Sequence, residues 1–553
     1  MRILARRALI PLFAYLTFLT PQLPAQESST ALDSSRTTDT RQWLEDLDYL
    51  AGHLRRLHAD PFHSVSEQQF DAAVATLRQK IPTLSDDAVA VGLARLVASI
   101  GDGHTRISAS AKIRATPYPL QLRAFPGGLY VVASPPESHR VLGARLVAID
   151  GVPAEEVLKA VGEITSGDNA LNRLDRVTDN ILIPTYLHGL GFVPDPEHAT
   201  FTFEDLNGER FDRTLHPIRR SSVRWHHVYD DATHRSLFLE HPEKTFWYKY
   251  LPKTRTLYVQ VNAVRDGPEQ SMAAFYDEVL NRADSEDVKR LVLDLRLNRG
   301  GNNSLNWSLI YGLVRTGWAE RHGSLFVIIG RRTFSAAGHL ATKLDLHTDA
   351  IFVGEPTGAA PNHYGDAKPF FLPNSGLRIA VSTLYWQNSL PWDTRRWVAP
   401  ELAAAPTWEE YRAGFDPALA AILDYEPTPS LADQLHEILI KQGLKAAREA
   451  YDSFIAEPVH KWVDTEPALN RLGYRLLYDE DRVDDAIAIM RLNVEQHSES
   501  ANAYDSLGEA YLKAGNKKLA LKAYREAQQR NPRLWSSVLA AEKLEAAGHG
   551  STD

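Results

Sequence analysis

The residues best suited to chemistry lie in Ser324–His339, SLFVIIGRRTFSAAGH. Leu325–Ile329 is a short, wholly apolar run rich in branched residues, the pattern of a strand buried on both faces. Gly330 and two arginines close it, and Ser335 opens a run, AAGHLATKL, with helical character. A serine at such a corner has its hydroxyl at the edge of a sheet. The free N–H groups of the first helical turn lie beside it, where they can stabilise an oxyanion. The same position also suits a simple helix N-cap, so the corner alone leaves both roles open. A second stretch is Gly101–Thr105, GDGHT, in which two glycines turn the chain around Asp102 and His104 projects before the strand-like RISAS. A loop histidine can take a proton from a hydroxyl, or it can be an ordinary solvated group. A third is Asp294–Asn303, DLRLNRGGNN, where Gly300-Gly301 lets the backbone approach a ligand closely and present N–H groups.

The elements around these stretches follow from periodicity. Trp43, Leu44, Leu47, Leu50, Leu54 and Leu57 have helical spacing, stopped by Asp60-Pro61. Phe70, Val74, Leu77 and Ile81 make a second helix, and Val89, Leu93, Leu96, Val97 and Ile100 a third. A small helical bundle therefore delivers the chain to GDGHT. Tyr118–Ala148 alternates like strands; the strand, the Asp150-Gly151 turn and the helix from Ala154 are similar to the closing part of a PDZ module. From Thr256 strands and helices alternate: TLYVQVNAV, Met272–Leu280, VKRLVLDL, Leu305–Val314, the Leu325 strand, the Ser335 helix and Ala350–Gly354. That grammar predicts a mostly parallel sheet covered by helices, with ligands at the carboxyl ends of the strands. Ser500–Pro532 resembles a tetratricopeptide repeat through Tyr504, Leu507, Gly508, Tyr511, Ala520, Tyr524, Ala527 and Pro532, with poorer copies before it and a capping helix after it.

A net charge of −9 argues against a nucleic-acid binder. The absence of cysteine removes disulfides, a thiol nucleophile and thiolate metal sites. Arg2, Arg6 and Arg7, the apolar Ala8–Leu19 and small residues near Ala25 have the layout of a secretory signal peptide. The expectation is an exported protein, periplasmic or secreted, with no stable membrane span after signal removal.

In order, GDGHT, DLRLNRGGNN, TFSAAGH, VGEPTG (Val353–Gly358) and Pro400-Glu401 resemble the tail-specific and tricorn-type serine peptidases. The resemblance spans about Arg41 to Glu401. It implies Ser335 as nucleophile, with oxyanion donors at Gly301 or Gly300 and at Ala336. The Ser–Lys branch of that family would need a lysine where Ala359 and Ala360 stand; Lys343 and Lys368 lie elsewhere. The tricorn-type branch implies His104 as base and a carboxylate at Asp393, with Asp366 as second choice. Gly103 stands where that branch has a relay serine, and Gly338-His339 where an acidic residue is common.

The expected layout is a multidomain α/β protein: signal peptide 1–25, linker 26–40, helical bundle 41–105, β-rich region with a PDZ-like segment 106–245, α/β serine peptidase core 246–426 and an all-α tetratricopeptide domain 427–553. The expected function is hydrolysis of peptide bonds in peptide or protein substrates, with no metal or organic cofactor indicated. The repeat domain would serve protein partners. The alternative, favoured by the substitutions around Ser335, is a catalytically inactive peptidase fold kept as a binding scaffold.

Overall fold

The structure is a computed structural model and describes residues 38–107, 116–230, 235–285, 287–391 and 393–549. The expected signal peptide lies outside the described residues. Among them, no helix is long and apolar enough to cross a membrane.

Three helices, Thr40–Leu57, Glu67–Lys80 and Asp86–Ser99, open the described chain. Asp39, Ser66 and Ser85 cap them by accepting a third-residue amide, which satisfies one of the orphan donors at each N-terminus. Trp43, Leu47, Leu50, Leu54, Phe70, Val89, Leu93 and Val97 bury one shared face. The same cluster contains Leu372, Leu377, Ile379 and Val381. Those residues belong to a hairpin, Lys368–Phe371 and Arg378–Val381, whose second strand pairs with Arg106–Ile107. The late hairpin thus completes the N-terminal helical unit, because three short amphipathic helices leave an apolar face that they cannot cover among themselves. The expected bundle of residues 41–105 thus draws its last apolar side chains from residues 370–381, far along the chain.

The β-rich region is a seven-stranded antiparallel sheet, with Gln121–Phe125, Gly128–Ser134, Arg145–Ile149, Ala199–Glu204 and Arg210–Leu215 in spatial order and two short strands at its side. Its helices Ala154–Glu163 and Ala170–Asn180 cover one face through Val157, Val161 and Val177.

The α/β core has six strands in the order Leu402–Ala403, Ile351–Gly354, Leu325–Ile329, Arg290–Asp294, Thr256–Val261 and Phe246–Leu251. All neighbours are parallel except the last pair. Every residue of Leu325–Ile329 is buried, as a central parallel strand covered on both faces requires. Met272–Ala283, Asn306–Arg315 and Ala336–His347 pack one side. The other side meets the shorter helix Pro417–Leu423.

Beyond residue 430 the described chain is helical: Leu431–Gln442, Leu444–Ala456, Glu466–Tyr474, Val483–Gln496, Ala501–Lys513, Lys517–Arg530 and Trp535–His549. Consecutive helices pack closely where small residues meet large ones. A Cβ on Gly508 would lie 2.7 Å from the Tyr524 ring, and one on Gly473 would lie 2.8 Å from Met490.

Candidate active site

Ser335 stands at the junction of the central strand's loop and the Ala336–His347 helix with φ 54° and ψ −128°. Such a backbone costs a non-glycine residue about 1–3 kcal/mol and persists only where the surroundings impose it. The bracing is on hand. The Phe334 amide donates to the Asn298 carbonyl (3.1 Å), Gly358 N–H donates to the Thr333 carbonyl (3.0 Å) and His339 N–H donates to the Ser335 carbonyl (2.9 Å). The Asn306 side chain donates to the Ala336 carbonyl at 2.8 Å. The three motifs DLRLNRGGNN, TFSAAGH and VGEPTG are therefore laced together around one residue. Ser335 makes no side-chain capping hydrogen bond, which removes the N-cap reading of the corner.

Gly300 approaches this corner so closely that a Cβ there would lie 2.6 Å from the Ser335 Cβ and 3.0 Å from the Ala336 nitrogen. Its own amide is engaged, donating to Asn298 Oδ1 at 2.8 Å. Gly300 is therefore the close-approach residue and is not an oxyanion donor. The amides of Gly301 and Ala336 have no acceptor among the described residues. Gly301 adopts φ 145°, and a Cβ on it would lie 2.1 Å from the Val264 carbonyl oxygen, so no side chain fits there.

His104 comes from the other end of the chain. Asp102 fixes its loop: Oδ1 accepts from the amides of His104 (2.8 Å) and Thr105 (2.7 Å) and from Ser382 Oγ (2.7 Å). Oδ2 pairs with His58 Nε2 at 2.9 Å. Burial alone would raise the Asp102 pKa; hydrogen bonds from His58, Ser382 and Thr105 outweigh it and hold the carboxyl well below the usual range. Thr105 Oγ1 accepts from the Ser382 amide, so it is occupied in holding the loop to the hairpin. The His104 ring stacks on Phe334, the residue before the candidate nucleophile, with centroids 4.5 Å apart. His104 Nδ1 is buried and has no hydrogen-bond partner among the described residues.

The predicted carboxylates stand apart from this histidine's bonds. Asp393 accepts from Ser389 Oγ (2.6 Å) and from Arg395 Nε and Nη2, and Arg395 reaches on to Asp345. Its carboxylate is held by an arginine, and no histidine is among its partners. Asp366 is exposed, at φ 50°. A third acid, not anticipated from the sequence, lies at the site. Asp168 Oδ1 accepts from the Gly103 amide at 2.5 Å, while Oδ2 is buried without a partner. Asp168, His104 and His363 each offer a ligand atom within 4.8 Å of the others. Burial, and next the charge of Asp102, push the Asp168 carboxyl up to about 7. Burial, and then His363, lower the His104 imidazole to about 3. The base candidate is thus neutral near pH 7, and one of its ring nitrogens lies within 4.8 Å of an oxygen of Asp168, whose carboxyl is pushed up to about 7.

His363 adds a further imidazole, parallel to His104 with centroids 5.7 Å apart. Its Nδ1 lies 2.8 Å from the Ala360 carbonyl and must carry the proton, which leaves a lone pair on Nε2. His339 Nε2, 2.9 Å away, then donates to it, and His339 Nδ1 is left buried without a partner. Burial lowers His363 to about 4 and His339 further still. Lys343 is two helical turns beyond Ser335, about 12 Å along the axis. It sits against Asn303, Asn388 and the Trp307 ring, with burial lowering it to about 8. Lys368 is exposed on the hairpin.

Sequence reasoning missed Asp168, His363 and Asn298. Asn298 lay inside a stretch already singled out, His363 lay three residues before the second-choice acid Asp366, and Asp168 follows an unremarkable TSG with no motif.

No family model and no curated protein matches the chain. Similarity appears among solved structures. Mature CPAF complexed with lactacystin superposes with a TM-score of 0.53 at 13% identity, covering 70% of this chain and 99% of that one. Mature CPAF by itself gives 0.52 with the same identity and coverage, and a serine-to-alanine mutant of CPAF gives 0.50. About 70% of this chain therefore shares the fold of mature CPAF, around a site of its own composition.

Proposed function

We propose that this protein is a serine peptidase in which Ser335 attacks the substrate carbonyl and His104 takes its proton. Asp168, rather than Asp393 or Asp366, orients the imidazole through the unpartnered Nδ1. As Ser335 Oγ bonds to the carbonyl carbon, its proton moves to His104, and negative charge on the carbonyl oxygen falls between the Gly301 and Ala336 amides. Each such donor typically lowers the barrier by about 3 kcal/mol. Collapse of the adduct returns the proton to the leaving amine, and water repeats the sequence on the acyl-enzyme. The observation that carries this reading is the strained Ser335 backbone, braced by three loops beside two unengaged amides. A purely structural N-cap needs no such strain.

A second reading, the peptidase fold as a binding scaffold, is favoured by one feature. Ser335 Oγ makes no hydrogen bond to His104, and Phe334 stacks on the imidazole instead. Catalytic hydrogen bonds commonly tighten only when substrate binds. A fluorophosphonate distinguishes the two: stoichiometric modification of Ser335, abolished by Ser335→Ala, supports the enzyme, and an inert Ser335 supports the scaffold.

The remaining expectations belong to the same proposal. The 106–245 sheet acts as a PDZ-like element for extended peptide, and the helices of 427–553 form a tetratricopeptide domain for a protein partner. The N-terminal signal would deliver the enzyme to the periplasm or beyond; a mature N-terminus near Gln26 tests it.

A further inference from the structure

We infer that His104, Asp168 and His363 form a binding site for a single zinc ion that competes with catalysis. The inhibitory part rests on the reading of His104 as base. Three observations converge. One ligand atom from each residue lies within 4.8 Å of the other two. Two of the side chains present a buried atom with no hydrogen-bond partner, His104 Nδ1 and Asp168 Oδ2. The third, His363, is locked by Ala360 into the tautomer whose Nε2 holds a lone pair.

Two imidazoles and one carboxylate are an ordinary zinc donor set, and zinc holds such atoms at about 2.0–2.2 Å. Tetrahedral geometry at that radius sets ligand atoms about 3.3 Å apart, so the cluster needs to close by at most about 1.5 Å around an ion. The fourth position stays open to water. Hard cations such as magnesium and calcium prefer oxygen ligands and are disfavoured by two nitrogens. Binding costs the His339–His363 hydrogen bond, since the metal takes the lone pair that His339 now uses. It also takes both members of the proposed His104–Asp168 pair, leaving Ser335 with no proton acceptor. Removal of the ion restores the pair, so the site is a reversible brake on a hydrolase.

The test uses tag-free full-length protein and zinc chloride alone, with calorimetric titration for binding and fluorophosphonate labelling of Ser335 for competence. Cobalt(II) provides a second readout through its visible tetrahedral bands. One equivalent of zinc is expected, with labelling falling in step with occupancy. Loss of even a hydrogen-bond partner of a ligand costs about 10–100-fold in metal affinity, so His363→Gln, which removes a ligand, is expected to weaken binding by about 100-fold or more. In that variant the labelling rate, whatever its metal-free value, should be the same with and without zinc. Asp168→Asn should lose zinc equally, and Ser335→Ala should keep it. No stoichiometric zinc, or wild-type zinc affinity retained in His363→Gln and Asp168→Asn, overturns the site. Zinc bound at the site without slower labelling overturns the competition. The base assignment is judged separately in metal-free buffer: if His104→Ala labels normally, that reading falls whatever zinc does.

Discussion

Replacing Asp168 by asparagine separates what the residue does for the reaction from what it does to the fold. In the folded chain its carboxyl is raised from 3.8 to about 7, first by burial and then by the charge of Asp102. A folded-state pKa above the unfolded one means that the native state holds the proton more tightly. Stability is then unpenalised below pH 4 and is lost as the pH rises through 7. A displacement of about three pH units corresponds to about 4 kcal/mol once both states are ionised. Asparagine keeps the acceptor for the Gly103 amide and carries no charge. Asp168→Asn should therefore exceed wild type in stability by about 2 kcal/mol at pH 5.5 and about 4 kcal/mol at pH 8.5. Turnover should move the other way, falling by about 10³–10⁴-fold, because the imidazole loses the group that orients it and balances its charge. The wild-type rate should rise through pH 7 as Asp168 ionises, since His104, lowered to about 3, is already neutral there. Urea unfolding followed by tryptophan fluorescence at the two pH values, beside labelling rates over pH 5–9, measures both. A stability gap that does not widen with pH refutes the buried charge, and an unchanged rate in the variant refutes the role.

Three further outcomes follow from the same geometry. His104→Ala should abolish turnover, and Lys343→Ala and Lys368→Ala should cost less than about tenfold, since the nearer lysine lies two helical turns from the serine; steady-state kinetics of the three decides it. Gly300→Ala, whose methyl would meet Ser335 Cβ at 2.6 Å and the Phe334 carbonyl oxygen at 2.9 Å, should destabilise the core by about 1–3 kcal/mol and slow labelling sharply. In thermal unfolding, Gly508→Val should weaken the C-terminal helices by about 1–3 kcal/mol through the Tyr524 contact, with the labelling rate unchanged.

What the sequence made legible was whatever local pattern dictates. The apolar Leu325–Ile329 run, the glycine pair and the helix after Ser335 have their signals within a few residues, and the start of the strand and of the helix was predictable to the residue. The Thr256 and Arg290 strands and the Met272 and Asn306 helices were readable for the same reason. The carboxylate was not. Its identity depends on which acid a distant loop lays against His104, and the Asp168 loop reaches that place through Asn169, whose amide donates to the carbonyls of Thr357 and Arg396. Asp393, chosen from a likeness in spacing, is drawn off by Arg395, two residues along, an ion pair that spacing cannot reveal. Likewise, nothing local announces that Lys368–Val381 leaves the core to finish the N-terminal bundle.

That last exchange has a consequence in time. The loop bearing His104 is tied down by Ser382, 280 residues further along, through the bond to Asp102. The hydroxyl and the imidazole therefore remain strangers during most of synthesis, because a chain emerging from the ribosome cannot close so long a loop until its far end exists. A copy cut short before Ser382 would therefore lack the tie that holds the His104 loop in place.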